Sequence, residues 1–178
     1  MTITSISQLI EELQQSSKEQ YADIGVRLDI PLDEFKEYCH WNSDHYTRNC
    51  IARDDHYELI LLCWEGQQQT AIHCHGGEEC WVYVIDGKIE ETHYLLEDDA
   101  PIEQSRDTLS AGEKSFMCDD LGYHSLRNAQ HDRAISLHLY MDPIKKCTSY
   151  NVKTQQFLSR DLSYYSVDGA LETANCRS

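Results

Sequence analysis

The chain reads as mainly β, a small sandwich or barrel that carries helices at its N-terminal end. Three observations predict this. Short runs of aromatic and β-branched residues recur between Tyr57 and Tyr140, each bounded by turn signals. The residues before Trp41 instead repeat their apolar positions at helical spacing. The 178 residues are 40% hydrophobic and 10% aromatic, enough for a real core at a length that suits one domain.

In chain order, Ile6, Leu9, Ile10 and Leu13 share one helical face, with Glu11 and Glu12 outward and Ser5 or Ser7 as the cap. A second helix starts at Asp29-Ile-Pro31: Asp29 caps it, Pro31 falls in its first turn, and Phe35 and Tyr38 share a face. Strands are predicted over 57–64 (YELILLCW), 70–75 and 79–85 (ECWVYVI). Asp86-Gly87 is a hairpin signal, with 88–95 (KIEETHYL) as the partner strand. Ser110-Ala-Gly112 is a turn, 115–118 a short strand, Leu121-Gly122 another turn and 133–140 (RAISLHLY) a strand. There is no internal repeat and no low-complexity segment. The expected organisation is an N-terminal helical segment over 1–41, packed on a barrel over 42–165, and a C-terminal tail over 166–178. From about Val167 the tail is polar and is expected to fray.

Fifteen Lys and Arg face 31 Asp and Glu, a net charge of −16. That argues against nucleic acid or an anionic membrane as a partner, while one local Arg could still bind a small anion. No apolar run reaches the length of a membrane span. The opening MTITSISQLIEELQQ lacks a basic stretch followed by an apolar one, so no signal peptide is expected. The eight cysteines, Cys39, Cys50, Cys63, Cys74, Cys80, Cys118, Cys147 and Cys176, are therefore expected to be reduced and the chain cytoplasmic. No CxxC pair supports a zinc finger or ribbon. Without a coiled-coil pattern or an obvious apolar interface, a monomer is expected.

Nine histidines are present. His73 and His75 form H-x-H in a predicted strand, where both imidazoles project to one side. His124 comes after a turn on a later segment. Its imidazole would complete a set of three that leaves coordination positions open for substrate and O2. Taken alone, H-x-H equally describes two surface histidines. The run His73-x-His75-x4-Cys80-x6-Gly87 has the spacing of the first cupin motif, with Cys80 where that motif places its Glu. Glu79, one residue earlier, would point to the other face of the strand. His124-x3-Asn128 matches the end of the second cupin motif, although the upstream glycine is out of register, as Gly112-x9-Gly122. The spacing leaves two sites open: three neutral histidines with free positions, or a closed, structural His3Cys site with a Cys80 thiolate. Ligand type does not fix the metal either, so a zinc hydrolytic cupin remains, although no general base for one is evident. Ser136, His138 and Tyr140 share a strand face opposite Leu137 and Leu139. That face either lines a polar pocket or is the solvated side of an edge strand.

Dispersed motifs add to this: Tyr46-Thr-Arg48-Asn49, Leu62-Cys-Trp64, Ile72-His73-Cys-His75, Cys80, Leu121-Gly-Tyr-His124 and Ser136-Leu-His138-Leu-Tyr140. In them the chain resembles, over roughly residues 45 to 147, the thiol dioxygenases of the cupin superfamily, the cysteine dioxygenase type I family in particular. The resemblance implies a small cupin β-barrel of jelly-roll type with N-terminal α-helices. It implies an oxidoreductase that places both atoms of O2 on the thiol of L-cysteine, giving cysteine sulfinate, a step of cysteine catabolism. It implies Fe(II) held by His73, His75 and His124. Arg48 would bind the substrate carboxylate, with Tyr46 assisting; a branch that prefers 3-mercaptopropionate has Gln there. His138 would hydrogen-bond the Tyr140 hydroxyl, with Ser136 behind it. Cys80 and Tyr140 match the pair that forms a protein-derived thioether, a cross-link expected to improve rate. The plainer readings are a surface ion pair for Arg48, a buried thiol for Cys80 and a core aromatic for Tyr140. In the family this tyrosine precedes Ser-Pro-Pro, whose first X-Pro bond is cis. Here Met141-Asp142-Pro143 stands instead, and a cis bond before Asp142 would cost about 2.5–4 kcal/mol, so a different turn is expected. Cys147 matches a cysteine at the mouth of the site and is given no role. Two alternatives are a related dioxygenase for 3-mercaptopropionate or cysteamine, against which Arg48 argues, and a non-catalytic metal-binding cupin, against which the three histidines argue.

Overall fold

Ser5 is extended and caps α1 (Ile6–Gln15), its hydroxyl accepting the Gln8 amide at 3.2 Å. Ile6, Leu9 and Leu13 are buried, as their spacing requires. This is a computed structural model, and it describes residues 1–172; Cys176 and the far end of the expected tail lie outside the described residues. Two departures come after α1. A short helix, α2 (Tyr21–Val26), forms where none is expected, with Gly25 so close to Trp81 that a Cβ would meet the indole at 2.7 Å. The second expected helix is a 3-10 segment, Leu32–Tyr38. Pro31 stands at its cap and makes no side-chain cap bond, so Asp29 does not cap it. Phe35 is buried as expected. Among the described residues, no helix is long and apolar enough to cross a membrane.

The strands, in chain order, are β1 (Thr47–Arg53), β2 (Glu58–Trp64), β3 (Cys80–Asp86), β4 (Lys88–Glu97), β5 (Ala100–Ser110), β6 (Lys114–Met117), β7 (Tyr123–Arg127), β8 (Ala134–Tyr140), β9 (Lys146–Asn151), β10 (Gln156–Asp161), β11 (Ser166–Val167) and β12 (Ala170–Leu171). The main sheet has the order β12-β11-β1-β2-β8-β3-β6. Its middle strands are buried on both faces, which is why β2 reads as an unbroken apolar run. Leu59, Leu61, Leu137, Leu139 and Tyr83 share one core with the α1 residues and Phe35. Ile60, Leu62, Trp64, Val82, Val84 and Tyr140 share the other with Ile89, Leu126 and Ile144.

The second layer consists of β5-β4-β7 and β10-β9. Residues 69–75 link its parts through isolated bridges, Gln69 and His73 to β7 and His73 to Ser149 of β9. The strand expected over 70–75 exists only as these bridges. The two layers form a cupin jelly roll, and their strands do not close into one hydrogen-bonded barrel.

Asp86-Gly87 is not a hairpin. β3 pairs with β6 and β8, whereas β4 pairs with β5 and β7, so the chain turns a corner between layers at Gly87. Its φ is +75°, and a Cβ there would sit 2.9 Å from that of Ala134. The hairpin is β4–β5, turned at Asp98 and Asp99 with φ of 50° and 63°.

Candidate metal centre

His73 and His124 exchange backbone hydrogen bonds of 2.9 and 3.0 Å, so β7 holds the H-x-H segment directly against the third histidine. Asp119 fixes the loop beyond it: one carboxylate oxygen accepts the His75 amide at 2.9 Å and the other the Gly77 amide at 2.7 Å. Gly122 leads into β7 at φ +92°, where a Cβ would meet the Tyr94 carbonyl at 2.5 Å. Ligand atoms of His73, His75 and His124 then lie within 4.8 Å of one another. Cys80 is not in this cluster.

The outer nitrogens show which lone pairs face inward. His73 Nδ1 donates to the Ala71 carbonyl at 2.9 Å, and His124 Nδ1 lies 2.7 Å from Glu91 Oε1. A carbonyl only accepts, as does an ionised carboxylate, so both protons sit on Nδ1 and both Nε2 atoms carry a lone pair. His75 Nε2 lies 2.9 Å from His124 Nε2. Burial holds His73 below its usual range, and His75 and His124 well below, so all three are neutral donors. Converging neutral imidazoles backed by a carboxylate fit a divalent metal. Burial pushes the Glu91 carboxyl up, and a cation one imidazole away would act in the opposite sense.

Beside the histidines is a cavity of about 370 Å³. Tyr46, Arg48, His73, Tyr140, Cys147 and Ser149 are among its lining residues. Arg48 reaches it from β1 with Nε and Nη2 buried and without a protein partner. Tyr46 stacks on Trp64 at 4.8 Å between ring centroids. Tyr140 sets its ring edge toward His75 at 5.4 Å.

β8 is central, so the face of Ser136, His138 and Tyr140 is fully interior. Trp64 Nε1 donates to Ser136 Oγ at 3.0 Å, and Ser136 Oγ lies 3.0 Å from His138 Nε2. Indole only donates, so Ser136 is satisfied when its own proton goes to His138 Nε2. His138 then carries its proton on Nδ1, which faces Cys80 Sγ at 4.0 Å. The expected His138–Tyr140 hydrogen bond is not formed; the two rings are stacked, 6.3 Å apart. Cys80 and Tyr140 are direct partners in the β3–β8 register. Burial pushes both the Cys80 thiol and the Tyr140 phenol well up, so both are protonated. No described peptide is cis, and Met141 leaves β8 with its amide donating to the Glu79 carbonyl at 2.9 Å. Asn128, the other motif residue, is a turn brace whose Nδ2 donates to the Asp132 carbonyl at 2.7 Å.

Glu91 and Asp119 carry roles that the motif spacing does not mark. Glu91 had a signal, because it lies in a strand one residue after Glu90 and two after apolar Ile89, sharing a face with Ile89; Asp119 in a polar turn had none.

The family model described as cysteine dioxygenase type I matches residues 1–153. Cysteine dioxygenase type 1 of Homo sapiens is 26% identical over 150 residues, covering 82% of this chain and 74% of that protein. The Rattus norvegicus protein of that name is 27% identical over 141 residues, covering 76% and 70%. An uncharacterized conserved protein with a double-stranded β-helix domain from Klebsiella pneumoniae is similar in fold. Its TM-score is 0.51 at 16% identity, covering 71% of this chain and 94% of that one.

Proposed function

The chain belongs to the cysteine dioxygenase type I family and is a non-haem iron thiol dioxygenase, and on that premise we propose that it oxidises L-cysteine to cysteine sulfinate with both atoms of O2. The observation that carries the substrate is Arg48. Two of its guanidinium nitrogens, Nε and Nη2, are buried without a hydrogen-bond partner, which is costly, and such a fork of donors matches a carboxylate. An α-amino thiol acid supplies that carboxylate, and Tyr46, which lines the same cavity, is assigned to assist.

His73, His75 and His124 are assigned to Fe(II), which when bound supplies the one-electron chemistry that O2 needs to react with a thiol. The three imidazoles are neutral, so a divalent metal held there would keep its full charge to attract an incoming thiolate. Ile144, Leu162 and Tyr46 give one side of the cavity an apolar wall, which lowers the local dielectric around the Arg48–carboxylate contact. Tyr140 orients the reacting groups, and His138 with Ser136 fixes the Cys80 side of the wall.

Cys80 and Tyr140 are assigned the thioether. The Cys80 S–H and a Tyr140 ring C–H are replaced by one C–S bond, and the two electrons and two protons pass to O2 as hydrogen peroxide. The seven described cysteines are free thiols, which supports a reducing, cytoplasmic setting. A monomer is supported by the charge along edge strand β5, where Glu103, Arg106 and Asp107 discourage strand addition.

Arg48→Gln tests the substrate assignment. The kcat/KM for L-cysteine is expected to fall about 100-fold, the scale of lost charge-assisted hydrogen bonds. Cysteamine has the same thiol and amine but no carboxylate, and its kcat/KM should change by less than about threefold. Equal losses on both thiols would overturn the role of Arg48.

A further inference from the structure

We propose that Cys39 and Cys63 form an oxidation site, a pair of thiols that a hydroperoxide converts to a disulfide between the N-terminal segment and β2. Neither residue belongs to the histidine cluster or lines its cavity.

Cys39 ends the 3-10 segment Leu32–Tyr38, and its thiol donates to the Phe35 carbonyl at 3.3 Å. Cys63 stands opposite Thr47 in the β1–β2 register, and both cysteines pack in the core that holds Leu59 and Leu61. Polar contacts fix the approach. Thr47 Oγ1 donates to the carbonyl of His40, the residue after Cys39, at 2.5 Å. Asn49 Nδ2 donates to Thr47 Oγ1 at 2.9 Å and reaches Cys63 Sγ at 3.6 Å. The two thiols hydrogen-bond, and each is the strongest influence on the other's proton. The Cys63 S–H, donating onto Cys39, holds the Cys39 thiol below its ordinary range, while the same bond and burial push Cys63 up. Cys39 is half-buried and Cys63 is 1% exposed. An accessible thiol of lowered pKa beside a buried second thiol is the arrangement of an attacking and a resolving cysteine.

The chemistry balances with one peroxide. The Cys39 thiolate attacks one peroxide oxygen, the O–O bond breaks, and a sulfenic acid and a first water result. The Cys63 sulfur then attacks the Cys39 sulfur, the S–O bond breaks, and hydroxide leaves with the Cys63 proton as a second water. Two thiols lose two electrons and hydrogen peroxide gains them. The closed loop from Cys39 to Cys63 carries Tyr46 and Arg48, so the bridge fastens that segment to β2. It forms on the sheet face opposite Leu62 and Trp64, away from the cavity.

The test is to treat the reduced full-length chain with hydrogen peroxide, alkylate the remaining thiols and map tryptic peptides. Peptide 37–48 should be joined to peptide 54–88, with fragmentation placing the bond at Cys63. Dithiothreitol should release the two, as it would not release a thioether. Cys39 should be consumed at least about tenfold faster than Cys50, whose thiol burial pushes up to about 11. Cys39→Ser should lose the link and leave Cys63 a thiol, and in Cys63→Ala the Cys39 sulfenic acid should be trapped by dimedone. Cys39 carried to sulfinic acid while wild-type Cys63 stays a thiol, Cys39 joined to a different cysteine, or both thiols unchanged after Cys50 has reacted would each overturn the proposal. No turnover of a thiol substrate enters these measurements, so they stand whether or not the dioxygenase reading does.

Discussion

At the residue scale, the centre depends on what His73 and His124 do with their second nitrogens, since Nδ1 of His75 is buried without a hydrogen-bond partner. His124 is the most constrained, buried to 1% exposure, bonded through Nδ1 to Glu91, and tied to His73 through the backbone. Glu91 fixes the tautomer that presents Nε2, and its charge raises the basicity of the ring. Glu91→Gln, which keeps an acceptor but loses the charge, should weaken Fe(II) binding about tenfold, and Glu91→Ala by up to about 100-fold. Competition against a coloured chelator reads this, and wild-type affinity in Glu91→Ala would contradict it. The three histidines were legible in the sequence because H-x-H and the third His stand at a known spacing. The carboxylate behind them was signalled only by its alternation with apolar Ile89 on one strand face, which marks Glu91 as inward but does not say that it meets a ring. The Cys80 alternative could be decided only in three dimensions, where its sulfur faces His138 and not the imidazole cluster.

At the element scale, strand pairing brings the reactive side chains together. β8 lies between β2 and β3, in a register that places Tyr140 opposite Glu58 on one side and Cys80 on the other. Directly opposed residues in an antiparallel pair hold their Cβ atoms about 4.5–5.5 Å apart, within reach of a bond between long side chains. The ladder sets the position of Tyr140, so Met141-Asp142-Pro143 in place of Ser-Pro-Pro alters only the turn beyond β8. There Asp142 pairs with Lys18 from the N-terminal segment. Cys80→Gly should therefore yield one species after turnover with L-cysteine. The wild-type protein should yield two, the cross-linked form lighter by two hydrogen atoms in intact mass. A single unmodified wild-type species would contradict the cross-link. Periodicity predicted β2, β3, β4 and β8 because apolar neighbours surround them. It missed β5, a polar edge strand, and α2, whose six residues are too few to show a period. It also paired β3 with β4, because a local turn signal cannot tell a hairpin from a corner between two sheets.

At the scale of the whole molecule, charge and cavity are opposed. The chain carries −16, yet Arg48 and Arg160 both line the cavity beside the histidines, and neither has a carboxylate salt-bridge partner among the described residues. The acidic surface favours a metal cation, while the cavity presents a local positive field to a carboxylate. The fold supports both by holding three imidazoles on the second layer and Arg48 and Tyr140 on the main sheet, across one interior cavity. The most direct test is to load the protein with Fe(II) without oxygen, add L-cysteine and O2, and monitor oxygen uptake and product mass together, with 18O2 as the oxidant. The account predicts one O2 consumed per cysteine and a sulfinate carrying both labelled atoms. Iron bound at the three histidines with no uptake, or a product holding a single labelled oxygen, would contradict it.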